Sequence, residues 1–153
     1  YEVAMSHLGI KILYGLVNRR DDAAAERVFA PWHDMEEEMR KRNIPLFSLE
    51  TRTPIKDFDV LAFTLQYEMS FTNILNMLDL AGIPMYSKDR DMDFPLLVCG
   101  GPCAFNVEPI ADFFDIVSLG ESEEWGDEFI DLYKAEKAKG KHYLYLAPYG
   151  RTL

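Results

Sequence analysis

Three short, largely apolar runs constrain the fold of this chain more than any other feature of its sequence. They comprise residues 59–65, 95–99 and 115–119. Continuous runs of this length are typical of strands that are buried on both faces of a parallel sheet. The sequence therefore predicts a sheet that is covered by helices on two sides.

Helical patterns separate these runs. Apolar residues at helical spacing predict four helices, at about residues 6–19, 32–42, 74–80 and 123–139. Ser6 is positioned to cap the first helix, and Gly82 marks the end of the third. Residues 26–30 are predicted as a further short strand and residues 44–49 as another extended segment. Because parallel strands need crossover connections, we expect an α/β fold, a three-layer Rossmann-like or flavodoxin-like parallel sheet with helices on both faces.

Length and composition set the domain organisation and exclude some partners. The chain has 153 residues, 48% of them apolar, which is enough for one hydrophobic core. We expect one domain over residues 1–140, with residues 141–153 as a C-terminal tail or an extra strand. A formal charge of −10 makes nucleic acid an unlikely partner for this domain. No apolar stretch approaches the roughly 20 residues of a bilayer span, and no secretion signal is recognisable, so we expect a cytoplasmic protein without membrane partners.

Candidate binding residues follow the predicted strands, since ligands of parallel α/β sheets bind where the strands end. The candidates are Thr64, Leu65, Gln66, Tyr67, Gly100, Gly101, Pro102, Gly120, Glu121 and Ser122. Glycine directly after two of the strands lets backbone amides approach a bulky ligand, although a tight turn alone would explain it too. Capping of the following helix is the alternative explanation for Glu121.

Residues for catalysis or metal binding are few. Cys99 and Cys103 are separated by three residues, without a third cysteine to complete a zinc or iron–sulfur site. Neither a nucleotide-binding glycine motif nor a Gly-x-Ser-x-Gly elbow is present. His7 lies at the start of the first predicted helix, where we expect a capping or solvent-facing role. The methionines, including Met69, are expected to fill the core or line a pocket.

A pair of motifs identifies a family. Gly100-Gly101-Pro102 is followed by the segment 114–123, Phe-Asp-Ile-Val-Ser-Leu-Gly-Glu-Ser-Glu. The pair resembles the Gly-Gly-Pro and Asp-x-Val-x-x-Gly-Glu-Gly-Glu motifs of cobalamin-binding-type domains that precede radical S-adenosylmethionine (radical SAM) barrels. Ser122 stands where that pattern has its last glycine. The segments 2–9, 28–32, 45–50 and 65–68 are also similar to one largely uncharacterised subfamily of these proteins.

This resemblance implies a module that holds cobalamin, or once did, against the candidate residues and faces a radical SAM barrel in cis or in trans. The family's Cys-x-x-x-Cys-x-x-Cys motif is absent, so the resemblance implies no iron–sulfur cluster in this chain and no catalysis by it alone. The Asp-x-His-x-x-Gly signature is also absent, so His7 is not expected to be the lower cobalamin ligand. Two alternatives remain, a ligand-free flavodoxin-like interaction or scaffold domain and a free-standing flavodoxin-like flavin protein.

Overall fold

The computed structural model describes residues 5–120 and 122–139. Its helices are α1 (Leu8–Asn18), α2 (His33–Arg42), α3 (Phe71–Ala81) and α4 (Ser122–Ala138), and its strands are β1 (Val60–Thr64), β2 (Leu96–Gly100) and β3 (Ile116–Val117). Short 3₁₀ helices lie in the connections, at Ile55–Asp57, Glu68–Ser70, Ser87–Asp89, Pro102–Asn106 and Glu108–Phe113. The boundaries predicted for the domain and its tail remain a prediction.

The three strands form one parallel sheet in the order β1-β2-β3. Val60 lies opposite Leu96, and Val98 lies opposite Ile116. Because all three strands run the same way, their carboxyl ends meet at one edge of the sheet. We call this edge the carboxyl rim; it comprises residues 64–70 after β1, 100–106 after β2 and 118–120 after β3.

Hydrophobic clusters cover both faces of the sheet. The larger one packs α3 against the side that carries Leu61 and Leu97. The smaller one packs Tyr133 of α4 against the side that carries Leu96 and Val98. Helices therefore lie on both faces, which confirms the predicted α/β class.

The strand predictions were right for the sheet and wrong in two details. The first four residues of β2 are buried, as expected for a central strand. In β1, however, Ala62 is exposed and Val60 is half-buried, so this strand is not covered on both faces. Residues 26–30 form no strand, because the one described backbone bond there, from Leu49 N to the Arg27 carbonyl, does not make a ladder.

The first helix begins one residue later than its predicted cap implies. His7, not Ser6, is the N-cap residue, and its Nδ1 accepts a hydrogen bond from the Ile10 amide at 3.3 Å. His7 can do this because its backbone is extended while the next residue is already helical. The prediction that Ser6 caps this helix is therefore wrong, whereas Gly82 ends α3 as predicted.

Helix α1 has an unusual environment for its composition. None of its residues is buried, and the apolar side chains of Leu8, Ile12 and Leu13 are exposed. It packs beside α4, where Arg20 pairs with Asp131. In the described ranges 5–120 and 122–139, no helix has both the length and the apolar character that crossing a lipid bilayer requires.

Candidate functional site

The Gly-Gly-Pro turn is fixed against the end of β1. The Gly100 carbonyl accepts from the Leu65 amide at 2.7 Å, and the Leu65 carbonyl accepts from the Cys103 amide at 3.0 Å. Gly101 has a φ of 103°, and a Cβ there would lie 3.1 Å from the Leu65 carbonyl oxygen and 3.2 Å from Thr64 Oγ1. Glycine is therefore required at position 101 by the close approach of two loops.

Gly120 is different, because a Cβ there would meet no atom of the described residues within 4 Å. Its φ of 106° still favours glycine, so the turn itself accounts for this residue. The space beside it is open at the carboxyl rim. Of the neighbouring candidates, Ser122 begins α4 and Glu121 lies outside the described residues.

The candidates after β1 differ in what they expose. The Leu65 side chain is completely buried, and both its backbone amide and its carbonyl are already bonded within the protein. The Gln66 side-chain amide donates to Thr64 Oγ1, so these two polar groups satisfy each other. Tyr67 is 56% exposed. At this loop, a ligand could therefore contact the Tyr67 side chain and the hydrogen-bonding groups of Gln66 and Thr64 that their mutual bond does not use.

Exposed apolar side chains are the main feature that sequence reasoning missed. Tyr67 and Met69 follow β1, Phe105 follows β2 and Leu119 follows β3, and each is at least 54% exposed. Met69, expected in the core or in a pocket, is 82% exposed. Their position at or soon after the ends of the apolar runs indicated the edge of the sheet, but not their exposure. Large apolar side chains gathered at one edge mark a contact surface.

Trp32 extends this surface on the side of α2. The Asn76 amide donates to Glu36, and Arg40 pairs with Asp79, so α2 and α3 run in the same direction. Since α3 begins at the carboxyl rim, Trp32, four residues before Glu36, lies at the same end of the molecule. Its side chain is 79% exposed. We call Trp32, Tyr67, Met69, Phe105 and Leu119 the apolar rim.

The two thiols near the rim are unreactive by their environment. Burial raises the pKa of Cys99 to about 12. Burial, and then the charge of Glu68, raise the pKa of Cys103. Both are therefore protonated at neutral pH, whereas the thiolate is the nucleophile and the metal ligand. Within residues 5–120 and 122–139, no three His, Cys, Asp or Glu side chains come together as a set that could hold a metal ion.

The fold and the rim define a class: a parallel Rossmann-like α/β domain whose strand ends carry glycine turns and an apolar contact surface. Comparison with known families makes this more specific. The chain belongs to the family described as the N-terminal domain of radical SAM proteins, whose model matches residues 9–146. The general part of the resemblance noted from the sequence is thereby confirmed.

One relative is a much longer protein than this chain. An uncharacterised protein of Methanocaldococcus jannaschii is 37% identical over 87 residues, which cover 55% of this chain and 18% of that protein. The chain thus spans about a fifth of the length of the relative that it matches. No solved structure matches the chain significantly.

Proposed function

We propose that this chain is the cobalamin-binding-type N-terminal module of a radical SAM iron–sulfur protein, and that its carboxyl rim holds a corrinoid or docks the radical SAM barrel. The observation that carries the proposal is the apolar rim, built from the connections after all three strands. Ligands of parallel sheets bind at this edge. The module itself is not catalytic in this proposal, since it binds and orients groups on which the barrel acts.

The described residues fit a corrinoid in one respect. A corrin ring presents a broad, flat face, and Tyr67, Phe105 and Leu119 offer exposed apolar surface of matching character. Bound there, a corrinoid would supply its cobalt for group or electron transfer to the barrel's substrate. His7 uses its Nδ1 to cap α1.

A ligand-free scaffold is the second candidate, and the packing of Gly101 favours it. The absence of a Cβ at this position is explained by the contact with Leu65, without any ligand. The Gly-Gly-Pro motif would therefore be kept for the fold alone in a domain that has lost its cofactor. In that case the apolar rim would be used for docking the barrel alone.

Visible absorption distinguishes the two candidates. The purified chain is titrated with hydroxocobalamin and passed through a gel-filtration column. Retained colour is expected if the rim holds a corrinoid. A folded protein that emerges colourless would overturn the cofactor proposal and favour the scaffold.

Matched variants locate the site if colour is retained. Tyr67→Ala with Met69→Ala should weaken binding by about tenfold or more, the effect of removing two large contacts. The control is Tyr86→Ala with Met92→Ala, which removes the same two residue types, 44% and 39% exposed, near the opposite end of the sheet. Gly120→Trp should also block binding, because its side chain would enter the open space at the rim. Equal affinity for the rim and control variants would place the cofactor elsewhere.

A further inference from the structure

Strand β3 pairs with β2 over a short length. Its two residues, Ile116 and Val117, lie opposite Val98 and Cys99 of β2. Beyond the strand, the Ser118 amide donates to the Cys99 carbonyl at 2.7 Å. Strands in globular proteins usually have about 3–10 residues. A ladder as short as this one leaves the position of β3 dependent on contacts outside it.

Asp115 extends the ladder by one position with its side chain. Its backbone amide donates to the Leu97 carbonyl at 3.0 Å, and its Oδ2 accepts from the Leu97 amide at 2.7 Å. The carboxylate thus provides the acceptor that a backbone carbonyl provides in a regular ladder. Because a carboxylate accepts stronger hydrogen bonds than a neutral carbonyl, this position attaches the amino end of β3 firmly to β2.

Arg90 holds the Asp115 carboxylate in this orientation. Its Nη2 donates to Asp115 Oδ1 and to the Phe113 carbonyl, each at 2.9 Å. Its Nη1 donates to the Pro84 and Met85 carbonyls at 2.9 and 2.8 Å. The Arg90 side chain is 3% exposed, so salt and water screen the ion pair little. The carboxylate is therefore fixed from two sides, by Arg90 and by β2.

The other end of β3 leads directly into the carboxyl rim. Leu119 and Gly120 follow Ser118, and Gly120 makes the turn with its φ of 106°. Asp115 and Gly120 are five residues apart, which is about 17 Å of extended chain. Both belong to the second motif of the family resemblance, the segment 114–123. With so few residues between them, a displacement at Asp115 is passed on to the turn.

We propose that Arg90 and Asp115 are positioning residues of the carboxyl rim. From the opposite end of the sheet they fix β3, and thereby hold the turn at Leu119 and Gly120 where it contacts a ligand. Neither of the two side chains touches the ligand. The aspartate of the motif then holds the strand, while its glycine makes the turn. The effect on ligand binding rests on the proposed function, whereas the effect on the rim itself does not.

Hydrogen exchange at two rim amides tests the effect on the rim. The Leu65 amide, bonded to the Gly100 carbonyl at 2.7 Å, reports on β1 and β2, and the Ser118 amide reports on β3. Arg90→Lys keeps the charge, but a single ammonium group does not span the acceptors that the guanidinium fork reaches. Exchange of Ser118, measured by NMR, should therefore become about tenfold or more faster relative to that of Leu65.

Ile74→Ala is the control for a general loss of stability. Ile74 is buried in α3 and takes no part in the hydrogen bonds of Arg90. Its truncation leaves a cavity in the core, so it should not speed exchange of Ser118 more than that of Leu65. Equal acceleration of both amides in Arg90→Lys would overturn the proposal, and so would unchanged exchange of Ser118.

Ser87→Ala is a milder variant for the case that Arg90→Lys does not fold. The Ser87 hydroxyl donates to Asp115 Oδ1, and the substitution removes this one bond from the cluster. Exchange of Ser118 should become about threefold or more faster relative to Leu65. The proposal is wrong if Ser87→Ala changes both amides alike.

A titration with hydroxocobalamin connects the position of the rim with binding. At a temperature where every variant is folded, Arg90→Lys should weaken binding by about threefold or more. Ile74→Ala should bind as the unsubstituted chain does. Unchanged affinity of Arg90→Lys, despite faster exchange of Ser118, would overturn the step from rim position to binding. If the unsubstituted chain binds no hydroxocobalamin, the cofactor proposal fails, and the exchange comparison still decides whether Arg90 and Asp115 position the rim.

Discussion

Among the described residues, Arg90 is a charged residue that is buried. Its side chain is 3% exposed and lies against Asp115, whose side chain is 14% exposed. Arg90 Nη2 donates to Asp115 Oδ1 and to the Phe113 carbonyl, each at 2.9 Å, and Nη1 donates to two carbonyls of the connection after α3. The other Asp115 oxygen accepts from the Leu97 amide at 2.7 Å. One guanidinium thus ties the amino ends of β2 and β3 to the preceding loop.

Loss of this guanidinium should be costly. Arg90→Met leaves the Asp115 carboxylate buried without its cation, so the free energy of unfolding should fall by about 3–5 kcal/mol. Urea unfolding followed by circular dichroism measures the change. Arg42→Met is the control, because Arg42 forms an exposed pair with Glu38 that contributes under about 1 kcal/mol. A similar loss in both variants would mean that the buried pair has no special role.

Sequence reasoning had no access to this contact. Arg90 lies in a polar connection between α3 and β2, and Asp115 begins an apolar run. Burial of a charge depends on which carbonyls converge on it, and here they come from positions up to 23 residues away. By contrast, Gly82 and the glycines after the strands were predicted, because a backbone turn depends mainly on local sequence.

At the scale of elements, α1 is attached mainly by charge. Several ion pairs join its C-terminal end to α4: Arg19–Asp127, Arg20–Asp127, Arg20–Asp131 and Lys134–Asp22. The hydrogen bonds from Arg20, and then from Lys134, hold the pKa of Asp22 well below its usual range. The hydrogen bond from Arg19 likewise lowers the pKa of Asp127. Since α1 buries no residue, little apolar packing supports these pairs.

Acid and salt should therefore release α1 before the sheet. A carboxylate whose pKa is lower in the folded protein stabilises it above its unfolded pKa, about 4, and this stabilisation is lost as the pH falls further. Hydrogen-exchange protection factors of α1 amides should fall below about pH 4. They should also fall in 1 M NaCl at pH 7, because salt at this concentration shortens the Debye screening length to roughly 3 Å and weakens the exposed ion pairs. Amides of β2 are the control and should stay protected in salt. Equal behaviour of α1 and β2 in 1 M NaCl would contradict the account.

Elements were predictable where local pattern and burial agree. β2 and α3 combine a clear apolar pattern with a position in the core, and both were placed correctly. Residues 26–30 have strand-forming side chains but lack a described ladder, which local sequence cannot reveal. The exposure of Ala62 was missed for the same reason, since cover depends on neighbouring elements rather than on the strand itself.

At the scale of the whole molecule, position in the topology was predictable and surface character was not. Parallel strands bring their carboxyl ends together, so the edge that carries Tyr67, Gly101 and Gly120 followed from the order of elements. That Met69 and Phe105 point to solvent did not follow, because an apolar residue after a strand is as consistent with burial as with exposure. The apolar rim is therefore a finding of the structure.

The apolar rim should favour association between copies of the chain in solution, and the negative net charge should oppose it. With a formal charge of −10 at pH 7, molecules repel and the exposed rim stays separate from its copies. Near the isoelectric point, about pH 4.7, this repulsion vanishes and apolar contact should drive association. Light scattering recorded from pH 7 to pH 4.5 should therefore rise as the isoelectric point is approached.

Substitutions at the rim test whether this surface is responsible. Tyr67→Ser with Phe105→Ser should lower the scattering near pH 4.7 by about twofold or more, because it removes two exposed aromatic side chains of the apolar rim without changing the net charge. Tyr86→Ser with Met92→Ser is the matched control away from the rim. Equal scattering by the two double variants would show that association uses another surface.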